Sequence, residues 1–164
     1  MKYLHDTFPT PFGDFSIVLD ENGAIAANAF GNFAVLKKWD PELQATRDPS
    51  ALREAREQML AYFSGDLRKF TLPLAPKGTA FQQRVWSALR HIPYGATRSY
   101  GEIAAEIGNP KASRAVGAAN GSNPICVIVP CHRVIGSDGS LTGFAYGEKL
   151  KRRLLELEGA LLRI

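Results

Sequence analysis

Cysteine is scarce in this sequence: 164 residues hold two, Cys126 and Cys131. Two thiols cannot build a disulfide framework, and their spacing matches no common zinc pattern, so neither bridges nor a structural metal is expected. Long apolar runs are missing too. Nothing approaches the ~18 residues of a membrane span, and Asp6, Asp14 and Asp20 interrupt the first twenty positions, where a signal peptide needs an unbroken apolar stretch. A cytoplasmic protein without membrane contact is expected. What the chain does have is 45% hydrophobic residues, enough to bury a core in one domain or two small ones.

Charge is unevenly placed. Residues 1–76 carry 8 Lys and Arg against 10 Asp and Glu, whereas residues 77–164 carry 12 against 6, so the halves stand at −2 and +6. A basic second half fits a polyanionic partner such as nucleic acid, though basic surface also serves solubility. Leu74-Ala75-Pro76-Lys77-Gly78 is a linker candidate, dividing the chain into domains 1–76 and 77–164.

The first domain reads as scaffold. Phe15–Leu19 and Ala24–Phe30 flank an Asn22-Gly23 turn and predict a hairpin. Apolar residues at helical spacing predict a helix over Ser50–Phe63, and Phe70–Leu72 a short strand. His5 is expected at the surface. In the second domain, Thr79 and Gln82 form a capping box opening a helix that ends before Pro93-Tyr94-Gly95, and Ser99 and Glu102 form another. Trp86 is expected to pack and His91 to be solvated. Asn109 is expected to cap a third helix with Pro110 at its first position. Two short helices joined by a Gly108-Asn109 turn make a helix-turn-helix. The second of them, Lys111 to Ala119, is mostly Ala and Gly with Arg114 at its middle. Such a helix suits close approach to a duplex backbone or minor groove, with Arg114 wedging into the stack and Lys111, Ser113 and Ala115 beside it. It equally suits a buried small-residue helix with Arg114 solvated.

The most informative stretch is Asn123–Ile135. Ile125 to Val129 form a short β-branched run, which predicts a buried strand or extended segment ending at Pro130 and delivering Cys131-His132-Arg133-Val134-Ile135. A thiolate there can attack a soft electrophile such as an alkyl carbon, but burial raises a thiol's pKa and a neighbouring base must offset it. His132 is that base candidate. Adjacent residues of an extended chain face opposite ways, so a link between Cys131 and His132 requires a helical turn or a bridging water. A last helix is predicted over Glu148–Leu157, with Leu150, Leu154 and Leu157 on its core face.

Asn123-Pro124 followed by Pro130-Cys131-His132-Arg133-Val134-Ile135 resembles the active-site signature of the O6-alkylguanine-DNA alkyltransferases, and the similarity runs through the C-terminal half. The resemblance implies an α+β protein: a small N-terminal αβ domain, ribonuclease-H-like, and a C-terminal winged helix-turn-helix domain that carries the chemistry. It implies that Cys131 takes an alkyl group irreversibly from a flipped O6-alkylguanine, with His132 as base and Glu158 as its orienting carboxylate. Tyr100 would protonate N3 of the leaving base, the carbonyls of Cys131 and Val134 would accept from its amine, and the Ala145 N–H would contact O6. Asn123 would brace the turn, Lys151 support the substrate loop with Phe144, and Arg114 fill the vacated stack. The implied partner is double-stranded DNA carrying O6-alkylguanine, with O4-alkylthymine as a second lesion. A monomer needing no metal or other cofactor is implied. Where the family's loop has glycine, this chain has Tyr146, which bears on the breadth of the pocket. A rival is a non-catalytic alkylated-DNA binder or helix-turn-helix regulator, which the basic half alone would serve; Cys131 favours chemistry. A metal-dependent hydrolase fits less well.

Overall fold

The computed structural model describes residues 2–160, so the last four residues of the second expected domain lie outside it. The chain divides into two compact units, Met1–Lys77 and Gly78–Ile164. In the first, β1 (Tyr3–Thr10), β2 (Gly13–Leu19) and β3 (Ile25–Phe30) form an antiparallel meander, and β4 (Ala45–Arg47) joins β1 in parallel. The β2–β3 turn falls at Asn22-Gly23. The Asp20 carboxylate accepts from the N–H groups of Asn22 and Ala24 at 2.9 and 3.0 Å, and Gly23 supplies the positive φ of 79°.

Burial in β2 and β3 does not alternate because helices cover both faces of this sheet. On one face Phe63, the last residue of α2 (Arg53–Phe63), meets Phe15 and Phe30 with ring centroids 5.7 and 5.9 Å away. On the other, Phe33 of the short α1 (Phe33–Leu36) stacks on His5 at 4.0 Å. His5 is therefore half-buried rather than a surface residue, and burial lowers its pKa against the pull of Asp6. Helix α2 starts at Arg53, three residues later than the periodicity indicates. Phe70–Leu72 is not a strand: the pairing in this region is one parallel bridge, Leu74 to Ile25.

The second unit opens with α3 (Ala80–Leu89), where Thr79 and Gln82 form the expected capping box. Trp86 is buried, its Nε1 donating to Ala119 O at 2.8 Å, and Gly78 leaves the room its ring needs. Helix α4 (Tyr100–Glu106) begins with the second expected capping box, Ser99 and Glu102. Helix α5 (Ser113–Gly121) starts later than expected, with no side-chain cap. Asn109 and Pro110 instead belong to a turn closed by Ala112 N–H donating to Asn109 O at 3.0 Å. The link between the two helices is thus longer than a Gly-Asn turn. β5 (Arg98–Ser99) pairs in parallel with β6 (Val134–Ile135), and α6 (Glu148–Leu157) ends the described chain. Its buried face is Lys151, Leu154, Leu155 and the capping Glu158. That stripe has i, i+3, i+4, i+7 spacing and is rotated from the expected Leu150-Leu154-Leu157 face so as to include two ionisable groups. Among the described residues no helix is long and apolar enough to cross a membrane.

Asp6 of β1 is 3% exposed and holds Arg47 of β4 at 3.2 Å and Arg56 of α2 at 3.0 Å. Arg56 keeps only 25% of its side-chain exposure and Arg47 keeps 67%. Asp6→Ala should therefore lower the unfolding free energy by about 2–3 kcal/mol, since it strands a largely covered guanidinium. Arg47→Ala should cost under about 1 kcal/mol. Urea denaturation compares the two, and equal losses would contradict a central role for Asp6.

Candidate active site

The stretch ahead of Cys131 is buried but not extended. Residues 125–129 fold through successive turns, with Ile128 N–H donating to Cys126 O at 2.8 Å and Val129 N–H to Ile125 O at 3.1 Å. Asn123 overrides the β propensity of the run. Its Nδ2 donates to the carbonyls of Ile125 and Val129 at 3.3 and 2.8 Å, and its Oδ1 accepts from Ile125 N–H at 3.0 Å. Among the described residues Val127 alone takes a positive φ without being glycine, at 72°. That conformation costs a branched side chain roughly 1–2 kcal/mol.

Cys131 then heads a 3-10 turn, Cys131–Arg133, and is 5% exposed. Its N–H donates to Val129 O at 2.7 Å, and its carbonyl accepts from Asn120 Nδ2 at 3.2 Å. Burial pushes the thiol's pKa up, against the hydrogen bond from Asn123 and the charge of Lys151. The helical turn takes His132 out of the alternation of an extended chain. His132 is fully buried, and its Nε2 lies 2.8 Å from Glu158 Oε2.

Glu158 sits where the last turn of α6 ends. Burial alone would raise its pKa, but hydrogen bonds from His132 and Arg133 hold it down to about 2. The carboxylate is ionised and accepts only, so Nε2 of His132 carries the proton and Nδ1 is the lone-pair atom. Nδ1 is buried and has no protein partner. Burial lowers the His132 pKa despite Glu158, which leaves the ring neutral. A neutral imidazole with a fixed tautomer and an open acceptor nitrogen, next to a thiol, has the form of a base for that thiol.

Lys151 is also fully buried; its Nζ donates to Val134 O at 2.5 Å and Thr142 O at 3.1 Å. Burial lowers its pKa to about 8, against the charges of Cys131 and Glu148. Tyr100, first residue of α4, donates from its hydroxyl to the same Thr142 carbonyl at 3.0 Å. Burial and then the charge of Cys131 raise the pKa of that hydroxyl. Gly143 packs so closely on it that no Cβ would fit, and φ is 87° there. Tyr146 is half-buried and turned inward: burial first, then Cys126 and Cys131, raise its pKa. Its ring meets Phe144 edge to face at 5.5 Å.

The structure thus brings Cys131, His132, Glu158, Asn123, Val134, Lys151, Tyr100, Phe144 and Tyr146 into one cluster, while Ala145, between the last two, is exposed. Lys111, Arg114 and Ala115 lie exposed on and just before α5, with Ser113 half-buried, outside that network. Three participants escaped the sequence reading. Arg133 is 7% exposed and binds Glu158 through Nε at 2.8 Å and Nη2 at 3.0 Å. Asn120 braces the Cys131 carbonyl, and the Thr142 carbonyl gathers two donors. The available signal was a polar side chain at a helix position otherwise facing the core, which Asn120 displays. Among the described residues no group of three or more His, Cys, Asp or Glu could hold a metal ion.

Comparison with known proteins agrees across both units. Residues 3–76 match the family model described as the ribonuclease-like domain of 6-O-methylguanine DNA methyltransferase, and residues 80–160 match its DNA binding domain. The methylated-DNA–protein-cysteine methyltransferase of Methanosarcina acetivorans is 51% identical over 93% of this chain and 96% of its own length. The protein of the same name from Mycobacterium tuberculosis is 62% identical over 69% of this chain and 68% of its own. A crystal structure of Mycobacterium tuberculosis OGT in complex with DNA superposes with a TM-score of 0.85 at 46% identity, covering 98% of this chain and 94% of the other. Sequence, fold and the surroundings of Cys131 converge: this chain belongs to the methylated-DNA–protein-cysteine methyltransferase family.

Proposed function

We propose that the protein repairs DNA by direct reversal, moving the alkyl group from O6 of an alkylguanine in duplex DNA onto Cys131 Sγ. The observation that carries this reading is the buried Glu158–His132 pair, a carboxylate that fixes a neutral imidazole on the residue following a buried thiol. His132 Nδ1 takes the thiol proton through a bridging water. Sγ then bonds to the alkyl carbon as the bond from carbon to O6 breaks, and the electron pair of that bond stays on the guanine. Tyr100 supplies the balancing proton at N3, and the proton taken up by His132 passes to solvent, from which the Tyr100 oxygen is reprotonated, so neither side chain keeps a charge. The product is a thioether, with no thiolate to regenerate, so each molecule acts once.

Tyr100 has one O–H, and it is held by Thr142. Base entry exchanges that bond for N3, while Lys151 keeps its own bond to Thr142 and tethers the loop. Val134 O accepts from Lys151, and a carbonyl's second lone pair remains for the exocyclic amine. The exposed Lys111, Arg114 and Ala115 surface approaches the duplex, and Arg114 fills the stack when the nucleotide leaves it. The first unit serves as scaffold and the second as the DNA-binding and transfer unit, acting as a monomer on O6-alkylguanine and secondarily on O4-alkylthymine. A cytoplasmic location agrees with this reading.

Comparing a duplex with a free O6-alkylguanine base separates these roles. Cys131→Ser should abolish transfer from both. Arg114→Ala should slow the duplex reaction about tenfold or more and spare the free base, since a stacking contact is worth roughly 1–3 kcal/mol. Equal losses on both substrates would remove Arg114 from flipping, and a strong preference for flanking sequence would favour the regulator.

Tyr146 has its ring turned toward the cysteines, so it narrows the space beside the alkyl group. Tyr146→Gly should raise the single-turnover rate on O6-benzylguanine about tenfold or more, while the O6-methylguanine rate changes by less than about threefold. A matched change in both rates would exclude a steric role.

A further inference from the structure

We propose that Arg133 is the charge-setting, positioning residue of this site: by sharing the Glu158 carboxylate with His132, it keeps the imidazole neutral and its Nδ1 available as the base. The inference rests on the alkyl-transfer reading and concerns a residue to which that reading gives no task.

The geometry is specific. Arg133 Nε donates to Glu158 Oε1 at 2.8 Å and Nη2 to Oε2 at 3.0 Å, while Nη1 donates to Ile92 O at 2.7 Å. Glu158 Oε2 is the same oxygen that lies 2.8 Å from His132 Nε2. One carboxylate oxygen therefore serves both a guanidinium and the imidazole. The Arg133 guanidinium stands 5.7 Å from the centroid of the Tyr94 ring, so it is held from the carboxylate side and from the loop after α3. All three side chains of the cluster are nearly or fully buried.

A buried carboxylate alone beside a histidine favours the imidazolium, which has no lone pair left to take a thiol proton. The charged groups facing His132 are Glu158 and Lys151 from α6 and Arg133 from its own turn; the loop after α3 contributes the Ile92 carbonyl and the Tyr94 ring. Burial acts most strongly and lowers the His132 pKa, Glu158 raises it, Arg133 and Lys151 lower it further, and the net direction is down. With Arg133 in place, the carboxylate's charge is already matched, so Glu158 orients the ring without protonating it. Removing Arg133 unmasks the carboxylate, and the His132 pKa rises. Transfer needs neutral His132, so the acidic limb of the rate profile moves to higher pH.

Two measurements test this. Nitrogen NMR of the histidine-labelled native protein, which has three histidines, should show His132 as the neutral Nε2–H tautomer at pH 7, protonating only below its ordinary range. Imidazolium at pH 7, or the Nδ1–H tautomer, would overturn the proposal. Single-turnover transfer from O6-methylguanine DNA is then followed against pH. Arg133→Met should move the acidic limb up by on the order of one pH unit, so that the loss is about tenfold greater at low pH than at high pH. Arg133→Lys, keeping the charge, should restore most of the profile. A loss uniform in pH, or identical profiles for Met and Lys, would make Arg133 a structural clamp only. If Arg133→Met does not fold, the native titration and Arg133→Lys decide. The same NMR titration of Arg133→Met and Arg133→Lys, in which the His132 pKa should rise for Met and stay near native for Lys, needs no substrate, so a failure of Arg133's role is distinguishable from a failure of alkyl transfer.

Discussion

A carboxylate whose side chain has no solvent exposure must be compensated inside the protein, and Glu158 meets that requirement through His132 and Arg133. Both donors come from one 3-10 turn, so the end of α6 fixes the turn that carries Cys131. Arg133 reaches onward to the Ile92 carbonyl, which adds the loop after α3 to the same cluster. The placement explains a glutamate at a helix C-terminus, where the helix dipole alone disfavours it by a few tenths of a kcal/mol. One buried charge thus links three elements and sets the electrostatics of the thiol's neighbour.

A second constraint acts on the other side of Cys131. Asn123 closes the chain around residues 125–129 with three side-chain hydrogen bonds. Those bonds hold Val127 in a left-handed conformation that its branched side chain resists. The tight path places Cys131 at the start of a helical turn rather than at the end of a strand, and that turn is what brings His132 and Arg133 together onto Glu158. Asn123 therefore acts twice, by directing the backbone and by favouring the thiolate.

Legibility in the sequence followed the range of the interaction. Both capping boxes were readable because each is a reciprocal bond between residues three apart. The β2–β3 turn was readable because Asn-Gly supplies its own geometry. At Asn109-Pro110 the same residues signal a helix start or a turn, and the turn prevailed. Ile125–Val129 misled because β propensity describes a half-buried pleated surface, whereas here Asn123 supplies competing bonds. The face of α6 was misassigned because Lys151 and Glu158 look like solvent residues until their buried partners are known. Resemblance supplied most of the cluster's membership, including Glu158; what it left out were Asn120, the Thr142 carbonyl and Arg133, whose partner lies 25 residues away in the chain.

The inward ring of Tyr146 and the shared Thr142 carbonyl join residues 142–146 to the Cys131 cluster. Cys126 lies deeper than Cys131, 1% against 5% exposed, with the Tyr146 hydroxyl against it. The central claim is therefore that one sulfur accepts one group. Intact-mass analysis with peptide mapping, after mixing with excess duplex DNA containing O6-methylguanine, tests it directly. Each molecule should gain a single methyl on Cys131 and then stop, with Cys126 unmodified. Continued turnover without added thiol, or a methyl carried elsewhere while Cys131 stays free, would contradict it.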